Sequence, residues 1–301
     1  MDVILLGLNI LIIGGDRREV EVYYHLKKNG ANVSLYGFEK YPHSGDITVT
    51  DNLIESIRIS DVIITPLTGI EANGEVYTPF GKGKVCINQP DILKAIKPKT
   101  LFIAGYVWPS LKEILIQKNI IVKETREMDE ISVPNAIPTA EGAVYTAMAN
   151  TEITIHNSNC LVLGFGRCGQ ILARTLKALG AEVTVAVRRK EVLPWIEACK
   201  MKPLLLENFT EEIKKADIIF NTIPSLVLNA EILYRINKAT LIIDIASHPG
   251  GVDFAAAERL NLKAILLLGL PGRVAPQTAA KILCKVYPDI IVSSLKRGEK
   301  F

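Results

Sequence analysis

Short apolar runs alternate with amphipathic stretches along the whole chain. The apolar runs are rich in Ile and Val and carry few polar residues, as expected of parallel strands that helices cover on both faces. This alternation is typical of βαβ units and predicts an α/β fold. The predicted strands are Ile10–Ile13, Val33–Tyr36, Val62–Thr65, Val85–Ile87, Leu101–Ala104, Ile120–Val122, Cys160–Leu163, Val183–Val187, Ile218–Thr222, Leu241–Ile245 and Ala264–Leu267.

The two halves of the chain share a local pattern. Residues 26–35, Leu-Lys-Lys-Asn-Gly-Ala-Asn-Val-Ser-Leu, recur in similar form as residues 176–185, Leu-Lys-Ala-Leu-Gly-Ala-Glu-Val-Thr-Val. In both copies a helical pattern ends at a glycine, which can adopt the left-handed conformation that follows a helix, and a strand begins. The repeat predicts two similarly built α/β domains.

The boundary between these domains is predicted between Met128 and Asn159. Pro134 and Pro138 each lack a backbone donor and bias the preceding residue towards extended geometry, so residues 131–138 are not expected to form regular helix. A helical pattern over residues 139–151 lies within a linking segment, residues 136–152. The predicted domains are therefore residues 1–135 and 153–273, with a final helix at about residues 274–301 that packs back on the first domain.

A glycine-rich turn follows the first strand of the second domain. Gly164, Gly166 and Gly169 have the spacing GxGxxG, with an apolar strand before them and a helical pattern after them. In this context the first glycine makes the turn, the second lets the backbone approach a pyrophosphate, and the third packs the helix on the strand. Together with Arg167 and Cys168, these glycines predict a dinucleotide site at a helix N-terminus, in Rossmann-like, doubly wound domains flanking an interdomain cleft. The alternative is a tight turn that binds nothing.

The end of the next strand indicates which dinucleotide is bound. An NAD enzyme would normally place Asp or Glu here, about 20 residues beyond the glycines, to hold the ribose hydroxyls. The chain instead has Arg188, Arg189 and Lys190. Arginine pairs with a 2′-phosphate, so these residues favour NADP, with NAD as the alternative cofactor and a solvated basic helix start as the alternative structure.

The first domain has a different turn after its first strand. Gly14-Gly15-Asp16-Arg17-Arg18 lacks the GxGxxG spacing, so no second dinucleotide site is expected there. Arg17 and Arg18 are candidates for binding an anionic substrate, or are simply charges at a helix start.

Ligands of doubly wound sheets bind outside the carboxyl ends of the strands, and this places further candidates in the second domain. The cofactor candidates there are Thr222, Ile223, Pro224, Ala246 and Ser247.

The catalytic or substrate-binding candidates are His248, Glu141, Arg18 and Arg273. His248 is an acid/base candidate because imidazole exchanges protons near neutral pH, and its alternative is a solvated loop residue. Glu141 is a candidate base or a carboxylate that complements a helix dipole, and Arg273 is a carboxylate ligand or an exposed loop cation.

Composition excludes several classes of protein. With 49% hydrophobic and 22% charged residues among 301, the chain is not of the disordered or fibrous type. A net charge of +3 does not indicate a nucleic-acid binder. Five cysteines without a CxxC pair and four scattered histidines predict neither a disulfide framework nor a metal site. Residues 3–13 are too short to span a bilayer and Asp2 does not suit an export signal, so a cytoplasmic protein is expected.

Six segments taken in order resemble the dipicolinate synthase A-subunit family of spore-forming bacteria. They are residues 12–18 (IIGGDRR), 137–142 (IPTAEG), 162–169 (VLGFGRCG), 221–225 (NTIPS), 244–254 (DIASHPGGVDF) and 269–279 (GLPGRVAPQTA). The resemblance covers nearly the whole chain. It implies NAD(P)-dependent oxidation of dihydrodipicolinate to dipicolinate, in a complex with a flavoprotein-like B subunit, in the mother-cell cytoplasm during sporulation. Family members can carry Arg at the position of His248, which favours binding of a substrate carboxylate there.

Two other functions remain as alternatives to this interpretation. One is another NADP-dependent dehydrogenase, of the methylenetetrahydrofolate or 2-hydroxyacid type. The other is a non-catalytic regulatory or scaffold subunit that holds NADP while its partner performs the chemistry. The expected partners are a small dicarboxylate and the dipicolinate synthase B subunit, with no nucleic acid or membrane, and a homo-oligomer is left open.

Overall fold

A computed structural model describes residues 5–42 and 45–296 of the chain. Its strands are β1 Asn9–Ile13, β2 Asn32–Tyr36, β3 Val62–Ile64, β4 Glu75–Val76, β5 Val85–Cys86, β6 Leu101–Ala104, β7 Ile121–Glu124, β8 Asn159–Leu163, β9 Glu182–Val187, β10 Lys202–Leu205, β11 Ile218–Asn221, β12 Leu241–Asp244 and β13 Lys263–Leu266. Its α-helices are α1 Arg17–Lys28, α2 Leu53–Ile59, α3 Pro90–Ala95, α4 Pro109–Gln117, α5 Asp129–Asn150, α6 Arg167–Ala178, α7 Leu193–Ala198, α8 Ala230–Leu233, α9 Phe254–Arg259, α10 Leu270–Val274 and α11 Pro276–Lys296.

The chain divides into two compact units. Unit 1 comprises Met1–Pro134 and Ala275–Phe301, and unit 2 comprises Asn135–Val274. The fold class predicted from the apolar pattern is confirmed, because each unit contains a parallel sheet with helices on its faces.

The sheet of unit 1 has five parallel strands in the order β2-β1-β3-β6-β7. Its strands alternate between two apolar layers: Ile10 and Ile12 face one layer, and Leu11 and Ile13 the other. Helix α11 packs against α1 in the first of these layers, where its Tyr287 is buried.

The sheet of unit 2 has six parallel strands in the order β10-β9-β8-β11-β12-β13. Counted within the unit this is 3-2-1-4-5-6, the order of dinucleotide-binding Rossmann domains, whereas unit 1 has the flavodoxin-like order 2-1-3-4-5. In unit 2 the direction of winding reverses between β8 and β11. Ligands of such sheets bind at this switch point, so the order of strands selects the carboxyl ends of β8 and β11 as the place to look for a site.

The structure differs from the predicted elements at three places. Residues 85–87 were expected to join a parallel sheet, but β5 pairs with β4 in a separate antiparallel hairpin. The strand β10 was missed because Pro203 interrupts its pattern, and proline is tolerated there because β10 lies at the edge of its sheet.

The third difference is the linking helix. The expectation that residues 131–138 would be irregular is wrong, because α5 runs from Asp129 to Asn150 through both prolines. Each proline removes one backbone hydrogen bond. Buried packing of Ile131, Ala136 and Ala140 on the flanking turns offsets that loss.

Candidate functional site

The glycine turn of unit 2 connects β8 to α6 at the switch point. Gly164 has φ +98°, a left-handed conformation that other residues rarely adopt. A Cβ on Gly164 would also overlap the Thr222 hydroxyl and lie 3.0 Å from Cγ1 of Ile223. Only glycine therefore allows the chain to turn here against the loop that follows β11.

The other two glycines of the motif have different surroundings. A Cβ on Gly169 would lie 2.9 Å from the carbonyl carbon of Gly164, so the start of α6 packs directly on the turn. A Cβ on Gly166 would have no neighbouring atom within 4 Å. Gly166 is thus bare backbone facing open space at the N-terminus of a 12-residue helix, whose dipole attracts an anion.

Arg167 and Cys168 form the first turn of α6. Arg167 is exposed and Cys168 is half-buried. Both lie at the N-terminal end of α6, where the glycine motif predicts a phosphate. Their placement is compatible with the predicted contact to a cofactor.

The loop after β11 closes the turn from the other side of the switch point. Both the backbone N–H and the hydroxyl of Thr222 donate to the carbonyl of Leu163, at 2.9 and 2.8 Å. Thr222 therefore braces the turn through its side chain. Ile223 is half-buried and Pro224 is exposed beside it.

A buried polar pair that the sequence analysis did not select holds two loops at this edge of the sheet. The Asn221 amide donates to Asp244 Oδ1 at 2.8 Å and to the Ile223 carbonyl at 3.0 Å. Asp244 also accepts from the backbone N–H of Ala246 at 3.0 Å and of Gly251 at 2.8 Å. In the sequence, Asn221 and Asp244 stand out only as polar residues at the ends of two apolar strands. The pairing of β11 with β12 shows that these two residues lie side by side.

The loop after β12 carries three of the predicted site residues. Ala246 is buried and tied to Asp244, whereas Ser247 and His248 are exposed at the carboxyl edge of the sheet. The loop closes through a hydrogen bond from the N–H of Gly250 to the carbonyl of Ser247, 2.9 Å. Asp244 thus holds the backbone of this loop at both ends, and the side chains of Ser247 and His248 are exposed to solvent.

The strand β9, next to β8, ends in a basic segment. Arg188, Arg189 and Lys190 are exposed directly after Val187, and no carboxylate stands at the strand end. This leaves two guanidinium groups at the position where an NAD enzyme would hold the ribose hydroxyls.

Glu141 and Arg273 belong to neighbouring helices of unit 2. Both are exposed, and α5 and α10 approach each other at Gly142, whose Cβ position lies 3.0 Å from the Leu270 side chain and 3.2 Å from that of Val274. Because α5 begins at Asp129, Glu141 lies in mid-helix, and the alternative that it complements the dipole at a helix start is wrong.

In unit 1 the turn after β1 is filled by its own carboxylates. Asp16 caps α1, accepting from the N–H of Arg18 at 3.0 Å, and Glu19 accepts from the N–H of Asp16 at 2.7 Å. Two backbone N–H groups at the start of α1 are thus already hydrogen-bonded to side chains of the chain itself, which is the physical argument for expecting no second dinucleotide here.

Arg18 does not have the geometry of a substrate ligand. The residue is 3% exposed, and its guanidinium donates to both Asp16 oxygens, with Nε 2.9 Å from Oδ1 and Nη2 3.0 Å from Oδ2. Burial raises the pKa of the neighbouring Glu19 to about 7, although Arg18 opposes the shift. Arg18 is therefore part of a buried charge cluster, and the exposed Arg17 beside it is the available cation of this turn.

No cluster of His, Cys, Asp and Glu suitable for a metal occurs in the part of the chain that the structure describes. All five cysteines lie in that part, and none of them forms a disulfide bond there. Within residues 5–42 and 45–296 no helix combines the length and the apolar character needed to cross a bilayer.

Two family descriptions match the chain, one for each unit. Residues 9–126 match the N-terminal domain of the dipicolinate synthase A subunit, and residues 136–252 match the NAD-binding domain of D-isomer specific 2-hydroxyacid dehydrogenases. The second match covers the glycine turn and both loops of the switch point, so unit 2 is an NAD-binding dehydrogenase-like domain.

Relatives match over almost the whole length. The chain is 38% identical over 288 residues to the dipicolinate synthase A subunit of Bacillus subtilis strain 168, which covers 95% of this chain and 97% of that protein. The crystal structure of the dipicolinate synthase A subunit from Bacillus halodurans has a TM-score of 0.89 and 35% identity, and covers 96% of this chain and 99% of that one. The crystal structure of the same subunit of dipicolinate synthase from Bacillus subtilis has a TM-score of 0.87 and 36% identity, with 99% and 100% coverage. With this identity and coverage along both units, the chain belongs to the dipicolinate synthase A-subunit family.

Proposed function

We propose that the chain oxidises dihydrodipicolinate to dipicolinate as the A subunit of a dipicolinate synthase, with NADP⁺ preferred over NAD⁺. The observation that carries the proposal is the glycine turn at the β8–β11 switch point, where Gly166 leaves bare backbone at a helix N-terminus. The substrate is inferred from the names of the relatives, which are dipicolinate synthases. The balanced reaction is dihydrodipicolinate plus NADP⁺ giving dipicolinate, NADPH and one proton.

Residues of unit 2 suit a nicotinamide dinucleotide. The first turn of α6, with Gly166, Arg167, Cys168 and Gly169, holds the pyrophosphate, and Ile223, Pro224, Ala246 and Ser247 line the carboxyl edge beside it. Arg188 and Arg189 pair with the 2′-phosphate. When bound, the dinucleotide supplies the hydride acceptor.

The substrate is a dianion, so the protein must supply cations to hold it still. Arg273 and His248 are the exposed groups of unit 2 that we assign to its carboxylates, with Glu141 taking the proton. The alternative role of His248 is to take the proton itself, in which case Arg273 holds the carboxylates. Formation of an aromatic ring favours the forward direction, and therefore a strongly tuned base is not needed. Arg18 is left out of this assignment because its guanidinium is buried against Asp16.

The relatives are named as A subunits, which supports the existence of a second subunit. We propose that this partner is the flavoprotein-like B subunit and that the complex works in the mother-cell cytoplasm of a sporulating bacterium, as the family resemblance implies. A homo-oligomer of the chain itself is an additional arrangement, which a mass measurement on the purified chain would reveal.

The test is a titration of the purified chain with NADP⁺ and with NAD⁺, followed by dihydrodipicolinate with and without the B subunit. Absorbance of reduced nicotinamide is followed at each step. Tighter binding of NADP⁺ and the appearance of NADPH would support the proposal. Binding without turnover, even with the B subunit present, would favour the scaffold alternative, and binding of neither nucleotide would refute the central claim.

A further inference from the structure

Asn135, the first residue of unit 2, is a buried amide with no hydrogen-bond partner for its side chain. It is 8% exposed, and neither Oδ1 nor Nδ2 finds a partner among the described residues. An amide buried without partners is unfavourable, because the hydrogen bonds to water that it loses are not replaced. Such a group in a folded protein requires an explanation, and a ligand is one.

The direction of α5 places Asn135 at the carboxyl edge of the sheet of unit 2, where the dinucleotide is proposed to bind. The Lys263 ammonium donates to the carbonyl of Asn150 at 2.9 Å, so the C-terminal end of α5 lies at the amino end of β13. Gly142 lies against Leu270 and Val274, which follow the carboxyl end of β13. The helix therefore runs from the carboxyl edge towards the amino edge. Asn135 comes seven residues before Gly142, about 10 Å further along the helix axis, beyond that carboxyl edge.

The helical period also decides which way Asn135 points. Seven residues are almost two full turns, so Asn135 and Gly142 share one face of α5 within about 20°. On that face Gly142 packs against α10, and the residues that follow Asn135 and Gly142 in sequence, Ala136 and Ala143, are buried. The Asn135 amide is thus on the inner side of the helix, above the edge where the dinucleotide is proposed to bind.

The chemistry of the amide selects the ligand group. Asn135 has two donors on Nδ2 and an acceptor in Oδ1. A carboxylate can only accept and would leave Oδ1 unpaired, whereas a carboxamide satisfies both atoms at once. We infer that Asn135 binds the carboxamide of the nicotinamide ring and so selects which face of the ring is presented to the substrate. This inference rests on the proposed function, because it requires a nicotinamide dinucleotide in unit 2.

The experiment compares three ligands on the full chain: NADP⁺, its 3-acetylpyridine analogue, in which a methyl group replaces the amide nitrogen, and 2′-phospho-ADP-ribose, which lacks the ring. For the wild-type chain we expect NADP⁺ to bind at least fivefold more tightly than the analogue. In Asn135→Leu, which keeps the size of the side chain, NADP⁺ should bind about tenfold more weakly and the preference should disappear. Affinity for 2′-phospho-ADP-ribose should not change.

Asn150→Ala is the matched control, since it removes the same side chain from the other end of the same helix, where the amide donates to the Thr146 carbonyl at 2.9 Å. This variant should keep the wild-type preference. Equal binding of NADP⁺ and the analogue by the wild-type chain would overturn the inference without any variant. If Asn135→Leu still preferred NADP⁺ over the analogue as strongly as the wild-type chain does, the inference would also be overturned, whether or not the KM for the dicarboxylate rises. In both cases 2′-phospho-ADP-ribose still binds, whereas failure of the proposed function would abolish binding of all three ligands.

Discussion

Replacing Gly166 by alanine separates nucleotide binding from folding. Gly166 has ordinary extended backbone, φ −78° and ψ −165°, and its Cβ would meet nothing within 4 Å. Alanine is a poorer residue than glycine at a helix N-cap but also reduces the entropy of the unfolded chain, and the two effects oppose each other. The free energy of unfolding of Gly166→Ala should therefore stay within about 1 kcal/mol of wild type.

Nucleotide binding should respond very differently to the same methyl group. If the pyrophosphate approaches the backbone at Gly166, the Cβ occupies the space that the phosphates need. We expect NADP⁺ affinity to fall at least tenfold, which corresponds to about 1.4 kcal/mol. The measurements are urea unfolding without nucleotide and calorimetric titration with NADP⁺.

Two further glycines serve as controls for this experiment. In Gly169→Ala the new Cβ lies 2.9 Å from the Gly164 carbonyl carbon, so the variant should lose about 1–3 kcal/mol of stability through overpacking. Gly83→Ala places a methyl group in equally open space in unit 1, so it should leave NADP⁺ binding unchanged and raise the free energy of unfolding by no more than about 1 kcal/mol. Wild-type NADP⁺ affinity in Gly166→Ala would refute the argument, because it would show that no phosphate approaches that backbone.

Three other predictions concern charged residues. Replacing Arg188 and Arg189 together by alanine should weaken NADP⁺ binding about tenfold or more and change NAD⁺ binding less than threefold, and equal losses for both nucleotides would remove the 2′-phosphate assignment. Arg273→Ala should raise the KM for the dicarboxylate about tenfold with little effect on nucleotide affinity, and an unchanged KM would exclude Arg273 as a substrate ligand. Burial raises the pKa of Glu19 from 4.5 to about 7, so the folded state binds this proton more tightly than the unfolded chain. The resulting stability is complete below pH 4.5 and is lost as pH rises to about 7, by about 1.4 kcal/mol for each pKa unit. Urea unfolding of Glu19→Gln across that range should show a weaker dependence on pH, and a slope equal to that of wild type would contradict this account.

Local patterns in the sequence determined much of unit 2. The GxGxxG spacing between an apolar strand and a helix was enough to predict the turn, because two of its three glycines are required by nearby residues: Gly164 by its positive φ and Gly169 by its contact with Gly164. The strands were predictable for a similar reason, since strands buried on both faces must be apolar along their whole length.

Elements whose stability depends on distant residues were not predictable in this way. Pro134 and Pro138 argue locally against a helix, and it is packing on the flanking turns that keeps α5 continuous. Residues 85–86 have the composition of a sheet strand, but their partner is the short β4, which has little pattern of its own. Propensity acts over a few residues, whereas pairing depends on which segments the rest of the fold brings together.

In the candidate site too, the sequence shows which residues are charged or polar, and the tertiary structure shows which of them are exposed. From the sequence alone, Arg17 and Arg18 are equivalent cations after a glycine turn, yet the fold exposes Arg17 and buries Arg18 against Asp16. The Asn221–Asp244 pair and the unpartnered amide of Asn135 likewise emerge only when strands and helices are in place. The sequence by itself determined the fold class, the glycine turn and the family, because these depend on spacing along the chain. Burial and hydrogen-bond partners depend on residues far apart in sequence, so only the tertiary structure could decide which polar groups are available to a ligand.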